Sequence, residues 1–513
     1  MSPKLAAAFA LLPDYLAWHV LLSVSALGLG LLISLPLAVA AARSPRLRWP
    51  VLALASLIQT IPSLALLALF YPVLLALSAL AVAATGHGFS ALGFLPSLLA
   101  LTLYSILPIL RNAVVGITGV DPAIREAADG VGMTPRQKLM QVELPLAAPA
   151  IMAGIRTAAV WTIGAATLAT PVGQTSLGNY IFAGLQTENW VSVLFGCAAA
   201  AALAMIADQL IGLVEAGARL RRRGFVIAGL AGLLLGTVAA VSPLVSFGRP
   251  AAYIVGAKNF SEQYILAELM ASHLEHAGAT VTRKEDLGSA IAYRALAAGE
   301  IDAYVDYSGT LWTAVLGRTD NPGRQAVLTQ LTAELKRRDG VVVLGSLGFE
   351  NAYAFAMRAD RARALGVASL DDLARKAPQL TLGTDIEFLS RPEWKAVESA
   401  YGLKFKASRS FQPTFMYRAL GSGDADVISA FSSDGRIAAD RLVVLADPRA
   451  AIPPYDAVIL VSPKRADDRR LIEALRPLVG SISVEAMRAA NYSVDRDAAK
   501  ATPAQAARTL ERP

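Results

Sequence analysis

Four histidines and a single cysteine, Cys197, are the whole stock of imidazole and thiol groups, for metal binding or neutral-pH proton transfer, in this chain of 513 residues. His273 and His276 stand three apart, a spacing that puts both on one helix face for a shared metal, but Glu275 between them points off that face. They read as residues of an exposed helix. Asp302 and Asp306 lie in "IDAYVDY", a strand-like run that holds them more than about 10 Å apart, too far for paired acid–base work. Asp424 and Asp426, beside Gly421 and Gly423, read as a polar turn. There is no G-x-S-x-G elbow, and the Gly-Lys dipeptide of a P-loop occurs nowhere. Covalent catalysis and nucleotide hydrolysis have no residues to run on, and no metal or cofactor is expected. One cysteine permits no intrachain disulfide.

What remains is recognition, and one polar stretch between apolar segments concentrates it: "REAADGVGMTPRQKLMQVELP", Arg125 to Pro145. Asp121-Pro122 supplies an N-cap acceptor and a first-turn proline. A helix from there runs to Asp129, and Gly130 or Gly132 ends it in the left-handed conformation. Thr134-Pro135 repeats the start signal, with Gln137 completing a capping box. The second helix is expected to break near Pro145. Two short helices joined by a glycine turn would lie at a membrane surface, built to meet something outside the chain.

The elements around this loop are set by apolarity. The chain is 55% hydrophobic, with a mean hydropathy of +0.48, and most of that lies before residue 245. Six segments are long enough to span a bilayer: His19–Ala42, Pro50–Leu80, Leu92–Thr118, Ala147–Thr170, Trp190–Gly217 and Phe225–Val245. Pro62 and Pro72 suggest a kinked span plus a partial re-entry in the second. Gly28, Gly30 and the glycines of "GLAGLLLG" read as close helix packing. Asp208, with Gln209, is costly in lipid and should face the pathway or sit near the cytoplasmic end. Arg43, Arg46 and Arg48 follow span one; Arg125, Arg136 and Lys138 follow span three; Arg219 and Arg221 to Arg223 follow span five. The opposite loops, Ala81–Ala91 and Pro171–Asn189, hold no Lys or Arg. By the positive-inside rule both the N-terminus and everything beyond span six lie outside. The net charge of +7 gathers near the spans and calls for no nucleic-acid partner. Beyond residue 250, short β-rich runs such as "YIVGAKN", "LTLGTD" and "AVILVSP" alternate with amphipathic helices such as "SEQYILAELMASHLEHAG", an α/β pattern with mostly parallel strands.

Glu126-Ala127-Ala128, Gly132 and Leu144-Pro145 resemble the coupling motif of ABC-importer permeases at the family's spacing. The resemblance implies that two small helices dock into an ATP-binding subunit encoded elsewhere, with Ala127 and Ala128 permitting close approach and Glu126 offering a charge. It also implies a permease homodimer.

In the outer half, "GAKNFSEQYILAELM", "GEIDAYVDYSGT", "ENAYAFAM", "DVISAFSSDGRI" and "PPYDAVILVSP" resemble, in order, the binding proteins of quaternary-amine importers. The chain then looks like a multi-domain fusion. Residues 1–224 would be an α-helical transmembrane permease of the type I importer class with its coupling loop at 121–145. Residues 225–249 would be the sixth span and linker. Residues 250–513 would be an α/β domain of two lobes resembling periplasmic binding proteins, hinged near 353–358 and 455–462. The family's aromatic box falls on Tyr307, Tyr353, Phe431 and Tyr455, with Phe431 where tyrosine is usual. A trimethylammonium head donates no hydrogen bond and is held by ring faces. Arg391 in "SRPEW", with Lys258, Asn259 and Thr310, would receive a carboxylate tail. The implied function is osmoprotectant uptake of glycine betaine or choline at the inner membrane, without enzymatic activity in this chain. The alternatives are ergothioneine or another trimethylammonium zwitterion, and a membrane-anchored solute receptor.

Overall fold

The structure, a computed structural model, describes residues 3–85, 88–187, 189–245, 253–318, 320–385, 388–411, 413–496 and 499–511. Of the sixth span and linker expected at 225–249, residues 246–249 fall outside them, as does the expected start of the next domain at 250. The chain divides into two compact units, one made of residues 1–182 and 190–248, the other of residues 183–189 and 249–513.

The first unit is helical. Six of its described helices are long and apolar enough to cross a membrane: Ala8–Arg43, Ser63–Thr85, Phe94–Thr118, Pro135–Val172, Trp190–Arg219 and Arg223–Leu244. The segment expected over Pro50–Leu80 is two helices, Pro45–Thr60 and Ser63–Thr85. They part at Ile61, whose extended backbone precedes Pro62, as the steric demand of a following proline requires. Arg48 turns back to donate to the carbonyls of Ala41 and Ala42 at 3.2 and 3.0 Å, satisfying the end of the first helix.

Glycines bring helices together at some of the expected places. A side chain at Gly30 would strike Ser105, and one at Gly229 or Gly232 would strike Leu210, whereas Gly28 and Gly236 face open space. Asp208 does not stand alone. Arg156, from the helix Leu144–Ala166, donates Nε and one Nη to its two carboxylate oxygens at 2.8 Å each. The same guanidinium reaches Glu215 at 3.0 Å. A bidentate pair plus a second carboxylate answers the charge cost inside an apolar helix packing.

Among its described residues the second unit has ten strands: β1 (Tyr253–Lys258), β2 (Val281–Leu287), β3 (Ala303–Tyr307), β4 (Val342–Glu350), β5 (Tyr353–Arg358), β6 (Thr381–Asp385), β7 (Ala407–Phe411), β8 (Val427–Phe431), β9 (Leu442–Val444) and β10 (Asp456–Val461). They form two five-stranded sheets, ordered β2-β1-β3-β10-β4 and β7-β6-β8-β5-β9. In each, a single strand runs against the other four: β10 in the first and β5 in the second. These two strands follow the points where the chain passes from one lobe to the other. The expected crossings at 353–358 and 455–462 are thus mostly strand: the passages fall at Asn351–Ala352 and between β9 and β10, because residues 353–358 are already paired with β8 and β9. Asn351 N–H donates to the Tyr455 carbonyl at 2.9 Å, stitching the two passages together.

This topology positions a site. Parallel strands of an open α/β sheet present their carboxyl ends to the ligand crevice. A strand running the other way presents its first residue at that same edge. β1, β3 and β8 end at Lys258, Tyr307 and Phe431, while β5 and β10 begin at Tyr353 and Asp456, just after Tyr455.

Candidate functional site

A cavity of about 290 Å³ opens at that edge, and Tyr307, Tyr353, Phe431, Tyr455, Arg391, Lys258, Asn259 and Thr310 all line it. Tyr353 and Phe431 are direct cross-strand partners, with ring centroids 5.2 Å apart. Tyr455 meets Tyr353 edge-on at 5.9 Å. Tyr307 stacks at 6.1 Å on Phe260, a fifth ring in the wall. Gly309 has a steric task here, since a Cβ at that position would enter the Tyr455 ring. Ser308 Oγ donates to the Pro454 carbonyl and accepts from Asp456 N–H, both at 2.9 Å, which fixes Tyr455 from both sides.

The bases in the wall are matched. Lys258 Nζ pairs with buried Asp306 and lies 5.2 Å over the Tyr307 ring. Arg391 approaches Glu393 at 3.6 Å and lies 5.5 Å over the Tyr353 ring. Arg436 pairs with Asp434 at 2.6 Å and with Asp495 at 3.8 Å. Burial pushes the Asp495 carboxyl up to about 6, with Arg436 opposing. Glu262 is different. Its carboxylate, only 3% exposed, accepts from Tyr307 Oη at 2.6 Å, Asn351 Nδ2 at 3.0 Å, Ser433 Oγ at 2.6 Å and Asn491 Nδ2 at 2.7 Å. Four neutral donors surround one acid, which desolvation raises above the ordinary carboxylate range while the hydrogen bonds hold it down.

Phe260 and Glu262 lie inside a stretch whose importance the sequence already advertises, yet neither is singled out by its type or spacing. Glu262 finds Ser433 and Asn491 far along the chain, which no local pattern encodes. Trp312 is fully buried, with its indole N–H on the Asp320 carbonyl at 2.7 Å. Among the described residues no group of three or more His, Cys, Asp or Glu is placed to hold a metal.

The loop of the helical unit forms a second candidate surface. Asp121 caps the helix Pro122–Gly130 by accepting from Ala123 N–H at 2.9 Å. Gly132 takes φ 78°, and Thr134 and Gln137 form a reciprocal capping box. The second helix does not break near Pro145. A π-helical turn over Leu139–Glu143 carries it into Leu144–Ala166. The wider turn relieves the clash between a proline ring and the carbonyl four residues earlier, so the helix continues. Lys138 pairs with Asp129 at 2.6 Å and Arg125 with Glu143 at 3.6 Å, bracing the turn. Glu126 and Ala127 are exposed, whereas Ala128 is buried under the loop. Leu144 is half-buried and Pro145 exposed. Ile124, Val131 and Met140 stand exposed on this polar loop, Val131 by 74%.

Comparison with known families decides what these two sites belong to. Residues 251–510 match the substrate-binding domain of the ABC-type glycine betaine transport system, and residues 30–220 match the inner-membrane component of binding-protein-dependent transport systems. The chain belongs to the ABC-type glycine betaine transport family. It is a fused permease and substrate-binding protein of an ABC importer, and its apolar helices and permease relatives make it an inner-membrane protein. Among family relatives, the ergothioneine transport permease/ergothioneine binding protein of Helicobacter pylori is 28% identical over 85% of this chain and 79% of its own length. The choline transport system permease protein of Bacillus subtilis is 40% identical over 38% of this chain and 83% of its own length. A crystal structure of a glycine betaine/carnitine/choline ABC transporter is 28% identical, covering 50% of this chain and 96% of its own, with a TM-score of 0.45.

Proposed function

We propose that this importer captures a quaternary amine such as glycine betaine or choline between the two lobes, on the periplasmic side of the membrane. The carrying observation is the convergence of Tyr307, Tyr353, Phe431, Tyr455 and Phe260 on one small cavity whose wall bases are already ion-paired. Its volume lies at the lower end of ligand pockets, suited to a compact solute. A methylated ammonium needs ring faces and a negative surround, and both are present.

The permease operates as a homodimer, and a separate ATP-binding subunit docks on residues 121–145. The exposed Ile124, Val131 and Met140 supply an apolar contact, and Glu126 a charge beside it. ATP is hydrolysed in that partner. Arg391, 12% exposed at its side chain and aimed over Tyr353, receives a ligand carboxylate by exchanging its long contact with Glu393. Lys258 contributes less than a free lysine, because Asp306 holds its charge.

Ergothioneine is a second reading, favoured by the fused Helicobacter pylori relative. Asn259, Asn351 and Asn491 in the wall could meet an imidazole-thione. Calorimetric titration of the full chain in lipid nanodiscs with choline, glycine betaine, carnitine and ergothioneine separates these. Tightest binding of choline or glycine betaine is expected. Tightest binding of ergothioneine selects the second reading, and binding of none overturns both.

A further inference from the structure

Two of the cavity's rings are attached to buried acids. Tyr307 Oη donates to Glu262 Oε1 at 2.6 Å, and Tyr455 Oη donates to Glu393 Oε1. Glu262 is 3% and Glu393 1% exposed. Each acid also joins the lobes. Glu262 sits on the helix Ser261–His276 of the first lobe and accepts from Ser433 beyond β8 of the second. Glu393 sits on the helix Pro392–Tyr401 of the second lobe and accepts from Thr313 of the first at 2.8 Å.

A phenol donating to an anion takes on part of a phenolate's character. Electron density moves from the oxygen into the ring, and the negative face of the ring deepens. Cation–π attraction depends on that face, and in a desolvated wall the carboxylate's field is weakly screened. Burial first, and then the neighbouring glutamate, push both tyrosine hydroxyls well above their usual range, so they remain protonated donors.

The two pairs differ in one respect. Glu393 has Arg391 at 3.6 Å, which cancels part of its charge. Among the described residues, Glu262 has only neutral donors: Tyr307, Asn351, Ser433 and Asn491. Those donors spread its charge without opposing it. Lys258 over the Tyr307 ring does not reverse this, since Asp306 holds its ammonium.

We propose that Glu262 and Glu393 are positioning residues of the ligand site, each using a tyrosine hydroxyl to orient a ring and to enrich its face in electrons, with Glu262–Tyr307 the stronger pair. The proposal rests on the quaternary-ammonium reading above. It makes the ring faces, and not a direct contact with the acid, the route by which the buried charge reaches the ligand.

Choline binding to the full chain in nanodiscs tests it through four proteins: wild type, Glu262→Gln, Tyr307→Phe and the double variant. Each single change is expected to weaken choline by about five- to tenfold, within the range of a desolvated cation–π contact. The double variant should be no more than about twofold weaker than either single one, because both remove the same coupling. Glu393→Gln should cost about two- to threefold. Displacement by 3,3-dimethylbutan-1-ol, choline's uncharged isostere, gives a readout that simple distortion would not reproduce. Its affinity should change by less than about twofold in Glu262→Gln. An unchanged choline affinity in Glu262→Gln, losses that multiply in the double variant, or equal losses for choline and its isostere each overturn the proposal. If Glu262→Gln fails to fold, Tyr307→Phe decides alone, because it keeps both the ring and the acid, and an unchanged affinity there overturns the proposal. Failure of the wild type to bind choline or glycine betaine removes the functional reading itself, and this inference with it.

Discussion

The two candidate sites are built in opposite ways. At the loop over residues 121–145, apolar side chains stand in solvent, Val131 by 74%, and the charges brace one another locally through Lys138–Asp129 and Arg125–Glu143. In the cleft, acids and rings are both buried, and the polar bonds span the chain from Glu262 to Ser433 and Asn491. An exposed apolar surface stays favourable only when a partner covers it. A buried anion with neutral donors becomes most useful when a cation arrives. The first arrangement suits a protein partner and the second a small charged solute. Changes at one site should therefore leave the other's readout untouched.

The largest break in that comparison comes from Val131→Asp. It places a charge at the centre of the proposed docking surface and should cut ATP-driven choline uptake in proteoliposomes with the ATP-binding subunit by at least about tenfold. Choline affinity of the isolated chain should stay within about twofold. A parallel loss of affinity would join the sites and contradict the separation. The reciprocal change is Tyr307→Ala or Tyr455→Ala, each expected to weaken the best ligand at least about tenfold, roughly 1.4 kcal/mol. Co-purification with the ATP-binding subunit should be unaffected.

A smaller effect sharpens the packing argument. Gly309→Ala drives a methyl group into the Tyr455 ring and should weaken choline by about threefold with the fold intact, as calorimetry and thermal unfolding would show. Unchanged affinity would mean that Tyr455 can turn without cost. The last change lies outside the cavity and is read in stability, not in binding. Asp286, at φ 63° and 2% exposed, has its carboxyl pushed up by burial to about 7, from an ordinary 3.8. Between those values the folded chain keeps a proton that the unfolded chain has released. This group's contribution is therefore full below pH 4 and is lost as pH rises through about 7. Asp286→Asn keeps an acceptor for Tyr264, tolerates positive φ and cannot ionise. It should stabilise the chain by up to about 4 kcal/mol at pH 8, the rise from 3.8 to about 7 converted to free energy, and by little at pH 4. An equal melting temperature for the two proteins at pH 8 would remove this account of Asp286.

The contrast between the sites also explains what could be read from the sequence. The caps of the loop are written in neighbouring residues, Asp121 with Ala123 and Thr134 with Gln137, and a local pattern suffices to find them. Pro145 misleads because the π turn that accommodates it leaves no residue signature. The division at Ile61–Pro62 was written as a proline, but a kink and a break look alike before packing is known. Asp208 was visible as a cost, whereas Arg156 sits 52 residues away on another helix. In the binding unit, the strand pattern carries the α/β class. The reversal of β5 and β10, which brings Tyr353 and Tyr455 to the same edge as Tyr307 and Phe431, depends on long-range pairing. Phe260 was hidden by its ordinariness, one aromatic among many apolar residues.

Saturation-transfer NMR of choline on the full chain tests the grip of the ring faces most directly, with selective irradiation of the aromatic protons. The N-methyl protons should receive the strongest transfer, and the signal should collapse in Tyr353→Ala. Transfer that favours the hydroxymethyl end, or that survives unchanged in Tyr353→Ala, would contradict the account.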